Sequence, residues 1–150
     1  MARIERSIVI EAPVEKVFAF VTDLDNFIKT QPPEMEMEVL SRDEGPQRAG
    51  FIAKVRAKVG DQVWELEVET TEFVKNKKHA ARQKGGPMKK FDMLDMFEPA
   101  DGGTKWTSIV EYELPYSLLG KLIDKLKVRK DMEKSMDYSA KKTKELIEKK

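Results

Sequence analysis

The sequence predicts an α+β chain, in which a curved antiparallel sheet of seven strands wraps around one long C-terminal helix and two short helices follow the first strand. Three observations predict it. Six strand-like segments follow one another between residues 35 and 114 with short turns between them, the pattern of an antiparallel meander. Helical spacing of apolar residues occurs near the start of the chain and again over its last third. One central hairpin specifies its own register through opposite charges.

In chain order, RIERSIVIE reads as a first strand, ended by Pro13. VEKVFAFVTDL follows, with Val14, Val17, Phe18 and Val21 at helical spacing and Pro13 placed to start the helix. DNFIK continues as a second short helix or turn, and QPPE breaks it. MEMEVLS alternates and is expected to be a strand from Met35 with one covered face, Met35, Met37 and Val39 against Glu36, Glu38 and Leu40.

The hairpin FIAKVRAKV-GD-QVWELEVET has Gly60-Asp61 as its two-residue turn. Pairing Val59 with Gln62 sets Ala57 opposite Trp64, Val55 opposite Leu66 and Ala53 opposite Val68. The other face then pairs Arg56 with Glu65 and Lys54 with Glu67, each favourable by about 0.2–1 kcal/mol. A one-residue slip would bury all four charges, so the register is well specified. KNKKHAARQK is a polar strand, turned at Gly85-Gly86-Pro87. KKFDMLDMFEP and TKWTSIVEYEL are the last two strands, joined by ADGG. The final strand puts Trp106, Ser108, Val110 and Tyr112 on one face, with Ile109 among the residues of the other. Pro115 opens a helix running to about Ile147, with the stripe Leu118, Leu119, Leu122, Leu126, Met132, Met136, Ala140, Thr143 and Ile147. About 30 residues at 1.5 Å each give roughly 45 Å.

Length and composition bound the function. The 150 residues fit a single domain, 1–150, able to bury roughly 68–70% of its unfolded surface. A net charge of +1 from 28 basic and 27 acidic residues carries no excess for nucleic acid. Cysteine is absent and His79 is the only histidine, so neither a disulfide nor a thiolate or histidine metal site is expected, and no cofactor. No apolar run of 18 residues exists and the N-terminus is no signal peptide, so no stable membrane insertion is expected and a cytoplasmic location is. Charged residues reach 37% with only two Asn and four Gln, a thermophilic lean.

The segments IVIEAPVEKVFAFVTDLDNF (8–27), WELEVETTEF (64–73), FEPADGGTKWTSIVEYELP (97–115) and LLGKLIDKL (118–126) together resemble the helix-grip superfamily. It comprises START-like lipid-transfer proteins, polyketide cyclases and aromatases, and birch-pollen-allergen-like proteins. The resemblance spans essentially the whole chain. It departs after the second helix, where many relatives have a tryptophan; Phe27 is followed by IKTQPP, with Thr30 near that place. The resemblance implies a cavity between sheet and long helix that holds an apolar or amphipathic small molecule. Members of the superfamily cyclise or dehydrate, carry lipids or hormones, or bind proteins.

Ala53 and Ala57 stand on an otherwise apolar strand face, leaving either ligand space or a gap filled by Trp64 and the helix. The middle of the helix offers soft or small residues there, namely Met132, Ser135, Met136, Ser139 and Ala140. The expected lining takes Phe51, Ala53 and Val55 from one hairpin strand and Trp64 and Leu66 from the other. Phe91 and Met93, then Trp106, Ser108, Val110 and Tyr112, come from the last two strands, and Met132 and Met136 from the helix. Access is expected near Asp25–Pro33. Candidates for proton transfer are Asp95, His79 and Tyr112. Alternation sends Asp95 inward with Phe91, Met93 and Phe97, where a base or anchor competes with a rim position or a pair with Arg129. A three-residue loop after Lys84 would set His79 opposite Met93 and beside Asp95; a two-residue loop would turn it away. The leading expectation is a carrier of a small hydrophobic ligand; a cyclase or dehydratase is the alternative. A protein-interaction module using the charged outer face ranks third, since interface cores are depleted in charge. The basic tail KKTKELIEKK is expected to be a solvated helix face packed through Thr143 and Ile147 rather than a membrane-surface helix.

Overall fold

The computed structural model describes residues 1–59, 62–115 and 125–149. Strand β1 (Ala2–Ile10) leads into helices α1 (Val14–Val21) and α2 (Leu24–Lys29) and a 3-10 turn (Pro33–Met35). Strands β2 (Glu38–Arg42), β3 (Ile52–Val59), β4 (Gln62–Val74), β5 (Lys78–Gly85), β6 (Lys90–Ala100) and β7 (Gly103–Glu113) follow, then helix α3 (Lys125–Glu148). The strands form one sheet ordered β1-β7-β6-β5-β4-β3-β2, every neighbouring pair antiparallel. The first strand therefore lies beside the last.

The expected hairpin register holds pair for pair, including Ala57 with Trp64, Arg56 with Glu65 and Lys54 with Glu67. Its turn, Gly60-Asp61, lies outside the described residues. Pro13 caps α1 in extended geometry, and its fixed φ of −62° feeds directly into the helix, which buries Val17 and Phe18. Asp23 caps α2 by accepting from the Asn26 N–H at 3.0 Å.

Two element boundaries differ from expectation. The strand expected from Met35 begins at Glu38. Pro32 and Pro33 start a 3-10 turn instead, and Glu36 leaves it in the left-handed region at φ 45°. Met35 and Met37 still face the core, while β2 is an exposed edge. On α3, Leu126 was expected in the buried stripe but is 59% exposed. Val128 takes the inward position, and the buried row runs Val128, Ser135, Thr143, Ile147. The helix expected from Pro115 has Leu118, Leu119 and Leu122 outside the described residues.

Helix α3 covers the free edge of β1. Arg129 and Lys144 donate to the Arg3 and Val9 carbonyls at 3.3 and 2.8 Å. Arg6 bonds Asp137 at 2.7 Å and Glu133 at 3.1 Å, and Glu148 accepts from the Glu11 N–H at 2.7 Å. Residues 129, 133, 137, 144 and 148 share one helix flank. This flank satisfies edge groups that would otherwise invite another strand.

The core divides in two. One cluster gathers Ile4, Val55, Trp64, Leu66, Val110, Tyr112 and Val128. The other gathers Ile10, Val17, Phe18, Phe97, Trp106 and Ile147. Between them runs a polar rung across four strands, in which Arg6 pairs with Ser108, Ser108 with Asp95 and Asp95 with His79.

Candidate functional site

A cavity of about 150 Å³ opens beside that rung, between the sheet and α3. The cause is local: Ala57 opposite Trp64 leaves a shallow floor, and α3 meets it with Met132, Ser135, Met136 and Ser139. Ala57 on the sheet and Ser135 and Ser139 on α3 are small, which leaves space between the two walls. Of the expected lining, Val55, Trp64, Leu66, Phe91, Met93, Trp106, Ser108, Val110, Met132 and Met136 border the space.

Phe51, Ala53 and Tyr112 do not. Phe51 lies in a surface groove with Phe18 and Phe73, with Arg48 5.5 Å above its ring. Ala53 is buried beyond the cavity floor, two residues before Val55 on β3. Tyr112 is packed within the first core cluster, and burial holds its phenol above the usual range. It presents no hydroxyl to the cavity.

Other lining residues escaped the sequence reading. Asn26, Phe27, Thr30 and Gln31 border the cavity at the α2 end, where access was expected. Thr30, at the place of the missing tryptophan, is buried and donates its hydroxyl to the Asn26 and Phe27 carbonyls at 2.9 and 3.0 Å. Ser135 donates to Gln31 Oε1 at 2.9 Å, tying α3 to this segment. Arg6 also lines the space, and the alternation Ile4, Arg6, Ile8, Ile10 could have revealed it as an inward charge. Five of the eight methionines, Met35, Met37, Met93, Met132 and Met136, form the wall. Unbranched thioethers make that wall adaptable.

Asp95 borders the cavity, with its side chain 19% exposed. The expected partner Arg129 is elsewhere, on the Arg3 carbonyl and near Glu133. The Trp106 indole N–H donates to Asp95 Oδ1 at 2.8 Å instead, and Ser108 adds a second hydrogen bond. Burial pushes the carboxyl up to about 6, against the pull of these two donors. His79 pairs directly with Asp95, two residues along β6 from Met93, which the three-residue-loop alternative set opposite it and which Ala81 meets instead. Its Nδ1 is 3.9 Å from Asp95 Oδ2, too far for a hydrogen bond. Its Nε2 is 3.3 Å from the Thr70 hydroxyl, and its ring meets Phe73 edge-on at 5.9 Å. Burial pushes His79 down to about 4, so at neutral pH a neutral imidazole faces a carboxylate, not an ion pair.

No group of three or more metal-ligating side chains occurs among the described residues, and no helix there is long and apolar enough to cross a membrane. A family model described as polyketide cyclase / dehydrase and lipid transport matches residues 1–148. The chain belongs to this family. Solved structures bear out the helix-grip fold of the polyketide cyclase / dehydrase and lipid transport family. TTHA0849 from Thermus thermophilus superimposes with a TM-score of 0.77 at 21% identity, covering 97% of both chains. The Zhui aromatase/cyclase from Streptomyces sp. R1128 gives 0.74 at 14% identity, over 98% of this chain and 93% of that one. A START superfamily protein from Mycobacterium smegmatis gives 0.69 at 14% identity, over 97% of both. No curated protein matches the chain in sequence.

Proposed function

We propose that the chain binds a compact hydrophobic or amphipathic molecule in the cavity between the sheet and α3. The carrying observation is the cavity itself, about 150 Å³ of space walled by Trp64, Phe91, Trp106, Leu66, Val110 and five methionines. A dry apolar cavity of about 150 Å³ accepts a benzene-sized ligand, so one ring fits without rearrangement. A longer ligand requires the methionine wall to repack. Asn26, Phe27 and Gln31 line the cavity's α2 end, the side from which entry is proposed. Native mass spectrometry of freshly purified protein tests the reading. A stoichiometric small adduct that leaves on denaturation is expected. A bare protein whose melting temperature no single-ring or short-chain apolar compound raises would defeat it.

A second reading is an enzyme of the cyclase or dehydratase type, as the family description and the Zhui aromatase/cyclase suggest. The observation favouring it is Asp95, a carboxyl within the cavity lifted to about 6, close to where a general base works best. Tyr112, packed in the first core cluster and absent from the residues lining the space, is left out of this reading. Incubation with linear poly-β-keto thioesters checks it: conversion should fall by at least about a hundredfold in Asp95→Asn, the usual scale of an acid–base group. Undiminished conversion would remove Asp95 from the chemistry.

A further inference from the structure

The polar groups around the cavity are unequal in what they have left to offer. Thr30 spends its hydroxyl on two backbone carbonyls, and Ser135 spends its own on Gln31. Arg6 is neutralised by Asp137 and Glu133 and bonds the Glu5 carbonyl. Asp95 differs. A carboxylate has about four lone-pair sites, and the Trp106 and Ser108 donors occupy two.

His79 does not fill the remainder. The Thr70 hydroxyl donates to Gln47 Oε1 at 2.9 Å, so its oxygen is free to accept from His79 Nε2–H at 3.3 Å. A neutral imidazole protonated on Nε2 shows Asp95 only the Nδ1 lone pair, 3.9 Å away. Everything the protein aims at the carboxylate is therefore a donor already in place or a lone pair, and its unspent capacity is for accepting.

We infer that Asp95 selects the ligand: the cavity takes a compact apolar molecule carrying one hydroxyl donor, a phenol or enol, whose O–H is accepted by Asp95 while its ring lies in the apolar space. His79 and Thr70 are positioning residues that keep a competing donor off the carboxylate. The inference rests on the cavity-binding reading above. The preference is tied to ionisation. Other charged or titratable groups at the rung are His79 on β5 and Arg6 on β1, with Glu133 and Asp137 of α3 on Arg6; α1 and α2 present only Phe20, Val21, Asn26 and Phe27, and α3 presents Ser135, Ser139 and Thr143. Protonated, Asp95 becomes a donor and would favour a carbonyl.

Three single-ring probes test this: phenol offers a donor, benzaldehyde an acceptor, toluene neither. Dissociation constants come from NMR titration at pH 5 and pH 7.5. The phenol-to-toluene affinity ratio is expected to rise on the order of tenfold between these pH values, because a charge-assisted hydrogen bond replaces an unmade one. In Asp95→Asn the carbonyl oxygen still serves the Trp106 N–H and the amide faces the ligand. The phenol-to-toluene ratio then falls about tenfold and the benzaldehyde-to-toluene ratio rises. Ratios unchanged within about twofold overturn the inference and leave the cavity reading standing if toluene binds. If none of the three binds, the inference falls, and the cavity reading falls with it when the purified protein is also bare and no short-chain compound raises its melting temperature. Should Asp95→Asn fail to fold, the wild-type pH series decides alone.

Discussion

Asp95 and His79 sit side by side with opposite departures from their ordinary values. Asp95 rises from 3.8 to about 6, so between those values the folded chain holds a proton that the unfolded chain has lost. Its contribution to stability therefore falls as pH rises through that window. His79 drops from 6.5 to about 4, so there the unfolded chain holds the extra proton and its contribution rises with pH. The two slopes oppose each other over nearly the same range. In His79→Gln, stability from urea unfolding should decline from pH 4.5 to 6; in Asp95→Asn it should climb; the wild type should lie between. Parallel slopes in the two variants would show that burial of this pair does not govern the window. Below it, Asp25, Glu34 and Glu36, held low by Arg42, Lys134 and Lys58, and Glu148, held low by the Glu11 N–H and Lys144, lose their stabilisation as acid protonates them. Asp95 itself was legible from alternation along β6. Its company was not, because the Gly86-Pro87 turn leaves the β5–β6 offset free, and only the paired strands place His79 opposite it.

At the scale of elements, the cavity comes from one strand pair meeting one helix segment. Ala57 borders the space and Ala53 does not. Ala57→Phe should therefore abolish ligand binding while keeping the fold, since its ring enters existing space. Ala53→Phe should instead cost about 1–3 kcal/mol, as overpacking a filled site does. Circular dichroism melts and ligand titration of both variants check this; equal destabilisation would mean Ala57 faces a filled core. The β3–β4 register could be read from the sequence because a one-residue slip would bury Arg56, Lys54, Glu65 and Glu67 and the two-residue turn fixes the rest. The phase of α3 was harder. Its inner row mixes Val128 with Ser135 and Thr143, and apolar periodicity says little where the inward residues are small and polar. Likewise the Met35–Met37 alternation looked like a strand, yet two prolines impose a turn before it and both methionines reach the cavity anyway.

The whole molecule is a sheet whose ends in sequence are neighbours in space. Its architecture was legible because each strand's alternation and each turn agreed with a meander closed on one helix. The pairing of β1 with β7 follows from no local signal; it comes from the need to cover Ile4, Ile8 and Ile10. That pairing has a consequence in time. Ala2 meets Tyr112 and Ile10 meets Thr104, so closing the sheet joins residues about a hundred positions apart. A chain emerging from the ribosome can zip β3 onto β4 and β6 onto β7 early, but β1 must wait for the last strand. The helix flank that shields its free edge comes later still. Contacts of such separation put refolding in the slow, roughly millisecond-to-second class. Stopped-flow kinetics would locate the closing event: if it is last, Ile4→Val speeds unfolding and leaves the folding rate alone, whereas slowed folding would place the first strand in the nucleus.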